Sequence, residues 1–222
     1  GCGFELAKTN TPPVVFFEID GEFNDLYKTA QERTQSQKTD NLLRRQRHYT
    51  LMQLLRQSPA ALNKGNAAEC GCWRGLSSYQ IAYRLRGSVF SNKFFIFDSF
   101  EGLSEFGSKD LENNVIEDRE KRRNEFACEL DVVKNNLREF DFIEYRKGWI
   151  PGRFSEVKDL LFSFVHIDVD LYQPIKESLE FFYPRMTGGG VIVLDDYGYL
   201  CFPGAKSAVD EFMADKPDIF MH

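Results

Sequence analysis

The sequence predicts a doubly wound α/β protein: a mostly parallel sheet, Rossmann-like, with helices on both faces. Three observations predict it. Strand-like and helix-like segments alternate along the chain after residue 57, as βαβα units do. Val191-Ile192-Val193-Leu194 is apolar without alternation, as a strand buried on both sides should be. The polar residues of chemical interest fall just after the strand segments, where such a sheet gathers its ligands.

Taken in order, residues 1–39 read as an irregular N-terminal extension, with Thr11-Pro12-Pro13 and a polar stretch from Gln31 to Asp40. Residues 40–222 form the domain. Asp40 is placed to cap a helix running through about Gln57. On it Leu43, Arg47, Leu51 and Leu54/Leu55 repeat at helical spacing, a stripe that suits either the domain's own core or a homodimer contact. Ala67–Cys72 reads as a strand, Ser77–Leu85 as a helix and Phe94–Asp98 as a strand. Phe126–Leu137 is predicted helical, Phe142–Tyr145 a short strand and Phe162–Asp168 a strand. Ile175–Phe182 follows as a helix with Pro174 near its first turn, and Gly190–Leu194 as a strand. The segment 102–124 is long, charged and poorly patterned, and is expected to be a lid over the cofactor or a surface loop.

A chain of 222 residues, 42% hydrophobic and 28% charged, suffices for one such domain. Its net charge of −6 argues against nucleic-acid or anionic-membrane partners. The basic clusters Arg44-Arg45-Gln46-Arg47 and Lys121-Arg122-Arg123 are read as solvated faces. The cysteines number five, an odd count without C-x-x-C spacing, which predicts free thiols and a cytoplasmic setting. Cys70 and Cys72 lie two apart in a strand-to-turn segment and are expected to point to opposite faces. No eighteen-residue apolar run and no basic-then-apolar leader is found. The chain starts at Gly1 rather than methionine, so a trimmed sequence is expected.

Glu69-Cys70-Gly71-Cys72-Trp73-Arg74-Gly75 places an acid and two glycines at a strand-to-helix turn. Glycine lets a ligand approach the backbone, and the following helix offers unpaired N–H groups. Asp98 ends the next strand, where a carboxylate can take both hydroxyls of a ribose. Trp73 breaks the dinucleotide pattern G-x-G-x-x-G, and no phosphate loop is present. An acid two residues before the first glycine suits a cofactor with an amino group, as in S-adenosylmethionine. A plain structural turn is the alternative.

His166-Ile167-Asp168-Val169-Asp170 and Leu194-Asp195-Asp196 put four carboxylates at two successive strand ends. Such a cluster repels itself unless a cation or protons compensate. Oxygen-only ligands favour a hard ion such as Mg²⁺. The competing reading makes some of these acids helix caps, Asp170 before Pro174 above all. His166 is read as a packed or supporting histidine rather than a base. No serine–histidine or cysteine–histidine relay can be placed, and Cys201-Phe202-Pro203-Gly204 reads as a turn.

Together, Glu69-Cys70-Gly71…Arg74-Gly75, Phe97-Asp98-Ser99-Phe100-Glu101-Gly102-Leu103, His166 through Tyr172, Asp195-Asp196-Tyr197-Gly198 and Phe202 through Phe212 resemble the macrocin O-methyltransferase family over about residues 42–212. Leu76 stands where that family often has a second glycine. The resemblance implies a class I methyltransferase fold using S-adenosylmethionine. It implies a divalent metal, Mg²⁺ or another hard cation, on Asp168, Asp195 and Asp196, with Asp170 as the base. It places Ser77, Asp98, Ser99 and Gly148-Trp149 at the cofactor, beside Glu69, Gly71 and Gly75. The acceptor it implies is a hydroxyl of a sugar or glycoside. A catechol or phenol acceptor, or a cofactor-binding module without turnover, are the alternatives. That fold normally ends in an antiparallel strand, so a truncated C-terminus at His222 is expected.

Overall fold

The most deeply buried stretches of the computed structural model are the phenylalanine-rich strands. It describes residues 16–57, 62–88, 90–112 and 117–217. The strands are β1 (Asn66–Cys70), β2 (Phe94–Asp98), β3 (Ile143–Lys147), β4 (Phe162–Ile167) and β5 (Met186–Leu194). All pairings are parallel, in the order β3-β2-β1-β4-β5. The central strand β1 is short and small-chained, and successive residues face opposite sides. Ala67 enters one core with Ile96 and Phe164, whereas Ala68 and Cys70 enter the other with Phe97 and Ile167. Cys72 lies in the first core, on the opposite face from Cys70, because β1 ends at Cys70 and the chain turns at Gly71. Cys70, Cys72, Cys128 and Cys201 are free thiols; Cys2 lies outside the described residues.

The helices are α1 (Phe16–Ile19), α2 (Gly21–Thr34), α3 (Leu42–Gln57), α4 (Leu76–Arg86), α5 (Ser108–Leu111), α6 (Arg119–Glu125), α7 (Leu130–Asn136), α8 (Tyr172–Phe182) and α9 (Pro203–Met213). Helices α2 and α3 pack on α4 over one face of the sheet. Helix α8 packs on β4 and α9 over the other.

Four expectations need correction. The described part of residues 1–39 is not irregular: α2 is a regular helix with buried Phe23, Leu26, Tyr27 and Ala30. Asp20 caps it, accepting from the Phe23 N–H at 2.9 Å, and also pairs with Arg56 of α3. Burying such large side chains contributes roughly 1.5–3 kcal/mol each, which local propensity does not reveal. The cap of α3 is Asn41, whose Oδ1 accepts from the Arg44 N–H at 2.9 Å. Asp40 instead accepts from the Tyr27 hydroxyl at 3.0 Å and pairs with Arg45. The buried stripe of α3 is Leu51, Met52 and Leu55, while Leu43 is 71% exposed. Val191–Leu194 are only half-buried, because β5 is the outermost strand among the described residues.

Candidate active site

The order of the strands reverses between β1 and β4, and the crevice opens there. The ladder continues past the strand ends. The Asp168 N–H donates to Cys70 O at 2.8 Å, Gly71 N–H to Phe97 O at 2.9 Å and Asp195 N–H to Ile167 O at 3.0 Å. Those bonds hold Gly71, Asp168 and Asp195 side by side. Gly71 has φ +80°, and a Cβ there would lie 1.9 Å from the Asp168 carbonyl oxygen. Only glycine fits, so the two loops meet backbone to backbone. Above them lies a cavity of about 850 Å³, a volume suited to a cofactor and a small acceptor.

One end of the cavity is made largely of backbone. Gly71, Ser77, Asp98, Ser99 and Trp149 line it. Asp98 Oδ2 accepts from the Cys72 N–H at 2.7 Å and the Trp73 N–H at 3.3 Å, while Oδ1 accepts from Phe100 N–H at 2.6 Å. Burial pushes the Asp98 carboxyl up, and those three donors offset part of the rise. Ser99 Oγ donates to Gly102 O and accepts from Glu101 N–H, both at 3.0 Å. Trp73 adopts φ 46°, a conformation more often left to glycine, and its indole N–H donates to Glu125 O at 3.2 Å. This bond ties the turn to the end of α6, most of which lies in the 102–124 segment expected as a lid. Leu103, Arg122 and Phe126 also reach the cavity; residues 113–116 of that segment lie outside the described residues.

Three residues expected at the cofactor are set back from the wall. Gly75 caps α4, and Gly148 donates its N–H to Asp98 O at 2.9 Å. Glu69 is fully buried. Its Oε2 accepts from the Ser78 hydroxyl, and its Oε1 faces His166 Nδ1 at 2.9 Å.

The other end is made of side-chain charge. Carboxylate oxygens of Asp168, Asp195 and Asp196 lie within 4.8 Å of one another, and Asp170 lines the same cavity. Asp170 sits at φ 59°, 6% exposed, and its N–H donates to Asp196 Oδ2 at 2.8 Å. It is not a helix cap: the free Tyr172 N–H of α8 donates to Asp110 Oδ1 at 2.8 Å. Burial and the neighbouring Asp195 push Asp168 up to about 7. Burial and the surrounding carboxylates push Asp170 and Asp196 well above the usual range. For Asp195 burial acts in the same sense, but His166 and Arg47 outweigh it and hold the carboxyl low. His166 is 1% exposed, and its Nε2 stands 3.8 Å from Asp195 Oδ1, an ionic contact beyond hydrogen-bond length. Burial would lower the imidazole; Asp195 and Glu69 raise it to about 10. The donor set is all oxygen, crowded and undercompensated, which fits a hard divalent cation.

Arg47 was read as a solvated flank, and the structure places it against Asp195 as a salt-bridge partner. Its neighbours are also engaged: the Arg44 guanidinium stacks 5.5 Å from the Trp73 ring centroid, and Arg45 binds Asp40. No signal for this pairing lay in the sequence, because Asp195 lies 148 positions away and Arg47 remains partly exposed. In the second cluster, Arg123 Nε donates to Leu103 O at 3.0 Å. Asp110 gave no signal in the sequence, because its partners are backbone groups 3 and 62 positions away.

A parallel sheet with a glycine turn after its first strand and acids after its fourth and fifth is a Rossmann-like fold, the class in which class I methyltransferases fall. Within that class, the chain belongs to the macrocin-O-methyltransferase (TylF) family, whose profile matches residues 22–218. It is 29% identical over 156 residues to demethyldecarbamoylnovobiocin O-methyltransferase of Streptomyces niveus, covering 68% of this chain and 58% of that protein. It is 31% identical over 146 residues to 8-demethyl-8-(2,3-dimethoxy-alpha-L-rhamnosyl)-tetracenomycin-C 4'-O-methyltransferase of Streptomyces olivaceus, covering 60% and 53%. The chain thus spans little more than half the length of these relatives. Among solved structures, the O-methyltransferase NovP matches with TM-score 0.66 at 24% identity, over 79% of this chain and 75% of that one. The calicheamicin methyltransferase CalS11 matches with TM-score 0.65 at 18% identity, over 96% and 95%. These two structures establish the fold.

Among the described residues, no helix is long and apolar enough to cross a membrane.

Proposed function

We propose that the chain is an S-adenosylmethionine-dependent O-methyltransferase that methylates a hydroxyl on the sugar of a glycosylated small molecule, using a divalent cation. The observation that carries this reading is one cavity with two unlike ends: a backbone-built end at Gly71, Ser77, Asp98 and Ser99, and a carboxylate cluster at Asp168, Asp170, Asp195 and Asp196. Family membership supports methyl transfer, and the rhamnosyl acceptor in the name of the Streptomyces olivaceus relative supports a sugar hydroxyl.

In this reading Asp98 takes the ribose hydroxyls, and Ser77, Ser99 and Trp149 bound the cofactor. Gly71 keeps the wall flat enough for a close approach. Asp168, Asp195 and Asp196 hold the cation, which supplies Lewis acidity to the acceptor hydroxyl. Asp170, beside that cluster, receives the hydroxyl proton as the acceptor oxygen takes the methyl group from the sulfonium, whose S–CH3 bond breaks to leave S-adenosylhomocysteine. Arg122 from the 102–124 segment, and Phe126 just after it, shut water from the reacting atoms.

The test is a methyl-transfer screen of glycosides and catechols with labelled S-adenosylmethionine, with Mg²⁺ and after EDTA. The reading expects transfer to a glycoside hydroxyl that EDTA abolishes and Mg²⁺ restores. Full-rate transfer after EDTA treatment removes the cation from the reaction, and transfer to catechols alone removes the sugar.

A further inference from the structure

Glu69 and His166 are register partners on β1 and β4, and both face the side covered by α3 and α4. Neither lines the cavity, and they are 0% and 1% exposed. A carboxylate this deeply buried is tolerated only when its oxygens are bonded, and here they are: Ser78 donates to Oε2, and Oε1 meets His166 Nδ1 at 2.9 Å. With Glu69 Oε1 as the acceptor, Nδ1 is the donor of this pair. That leaves Nε2 as the end facing the site. It is buried, without a hydrogen-bond partner, and 3.8 Å from Asp195 Oδ1. Buried polar atoms are rarely left so, and the neighbour it points at is a carboxylate of the acidic cluster. Arg47 takes the other oxygen of Asp195.

We infer that Glu69 and His166 are a positioning pair that orients Asp195 from behind, and that Glu69 makes no contact with the cofactor. The inference rests on the proposed cation site and adds its supporting groups. Ser78 fixes Glu69, Glu69 fixes the ring, and the ring steers Asp195 so that its carboxylate faces Asp168 and Asp196. A shift of about 1 Å brings Nε2 and Oδ1 to hydrogen-bond length. Groups that orient a ligating carboxylate in this way typically govern metal affinity by about 10–100-fold. The sequence reading of Glu69 as a partner for the cofactor's amino group makes the opposite prediction, so one set of variants separates them.

The experiment titrates Mn²⁺ by electron paramagnetic resonance and S-adenosylhomocysteine by calorimetry. His166→Asn keeps a donor near the Nδ1 position and removes the end that faces Asp195. His166→Gln supplies a donor near the Nε2 position. We expect His166→Asn to weaken Mn²⁺ binding about 10–100-fold, with S-adenosylhomocysteine affinity unchanged within about threefold, and His166→Gln to recover most of the loss. Glu69→Gln should weaken Mn²⁺ and spare S-adenosylhomocysteine; should the Asn variant not fold, this variant and His166→Gln decide. Unchanged Mn²⁺ affinity in His166→Asn or Glu69→Gln overturns the positioning role while leaving the cation site standing. Loss of S-adenosylhomocysteine with Mn²⁺ retained in Glu69→Gln returns that residue to the cofactor. A parent protein that binds no Mn²⁺ overturns the cation site and this inference together.

Discussion

The two ends of the crevice solve opposite problems. At the cofactor end the polar groups are already satisfied: Asp98 accepts three backbone N–H groups, and Ser99 bonds its own loop. Few side chains there need a ligand to stay in place. At the acidic end four carboxylates share a small volume, with Arg47 and His166 as the positive groups facing Asp195. The difference teaches that one end is a preformed mould and the other a store of uncompensated charge. The first should bind without help, whereas the second should depend on what neutralises it.

Three substitutions test that contrast. Asp170→Asn removes the proposed base and should lower turnover by about 10²–10⁴ while S-adenosylhomocysteine binding stays as it was. Near-normal turnover would mean the proton goes elsewhere. Gly71→Ala strikes the point where both ends meet. With 1.9 Å between its new Cβ and the Asp168 carbonyl oxygen, a stability loss of roughly 4 kcal/mol is expected in thermal unfolding. An unshifted melting temperature would show that the two loops are not packed backbone to backbone. Asp98→Asn turns one acceptor into a donor facing N–H groups. It should weaken S-adenosylhomocysteine about tenfold by calorimetry and leave Mn²⁺ untouched; a Mn²⁺ effect would show that the ends are not separable.

The smallest effect belongs outside the crevice. Arg56, hydrogen-bonded to Asp20, holds that carboxyl below its usual range, against the opposing effect of burial. A lowered folded pKa stabilises above the unfolded value and is lost as pH falls through the folded one. Asp20→Asn should therefore cost about 0.5–1 kcal/mol at neutral pH, and the gap should close below about pH 4. Urea unfolding at the two pH values measures it. A gap that persists in acid would show that the contribution does not come from the ion pair.

Much of this architecture can be read along the chain. Phe94–Asp98 is a strand over the predicted residues, because an unbroken apolar run of that length has few other homes. Pro174 lies in the first turn of α8, where a missing N–H costs little. Helix α2 escapes such reading, since Gly21–Thr34 is mostly polar and its helical state depends on Phe23 and Tyr27 finding α3 and α4. The half-burial of β5 escapes it too, because apolar content does not say which strand lies outermost.

By itself the sequence determined the alternation of elements, the glycine turn after β1 and the acids at the ends of β4 and β5. These are properties of neighbouring residues, set by local geometry and by which side chains avoid water. The tertiary structure alone decided what each polar group faces. It turned Glu69 from the cavity toward His166, aimed Arg47 at Asp195, and gave the α8 N-terminus to Asp110 rather than Asp170. Partners 97, 148 and 62 positions apart meet only once the sheet has formed. Burial makes such pairings matter, because a polar group removed from water must find its complement wherever the fold brings one.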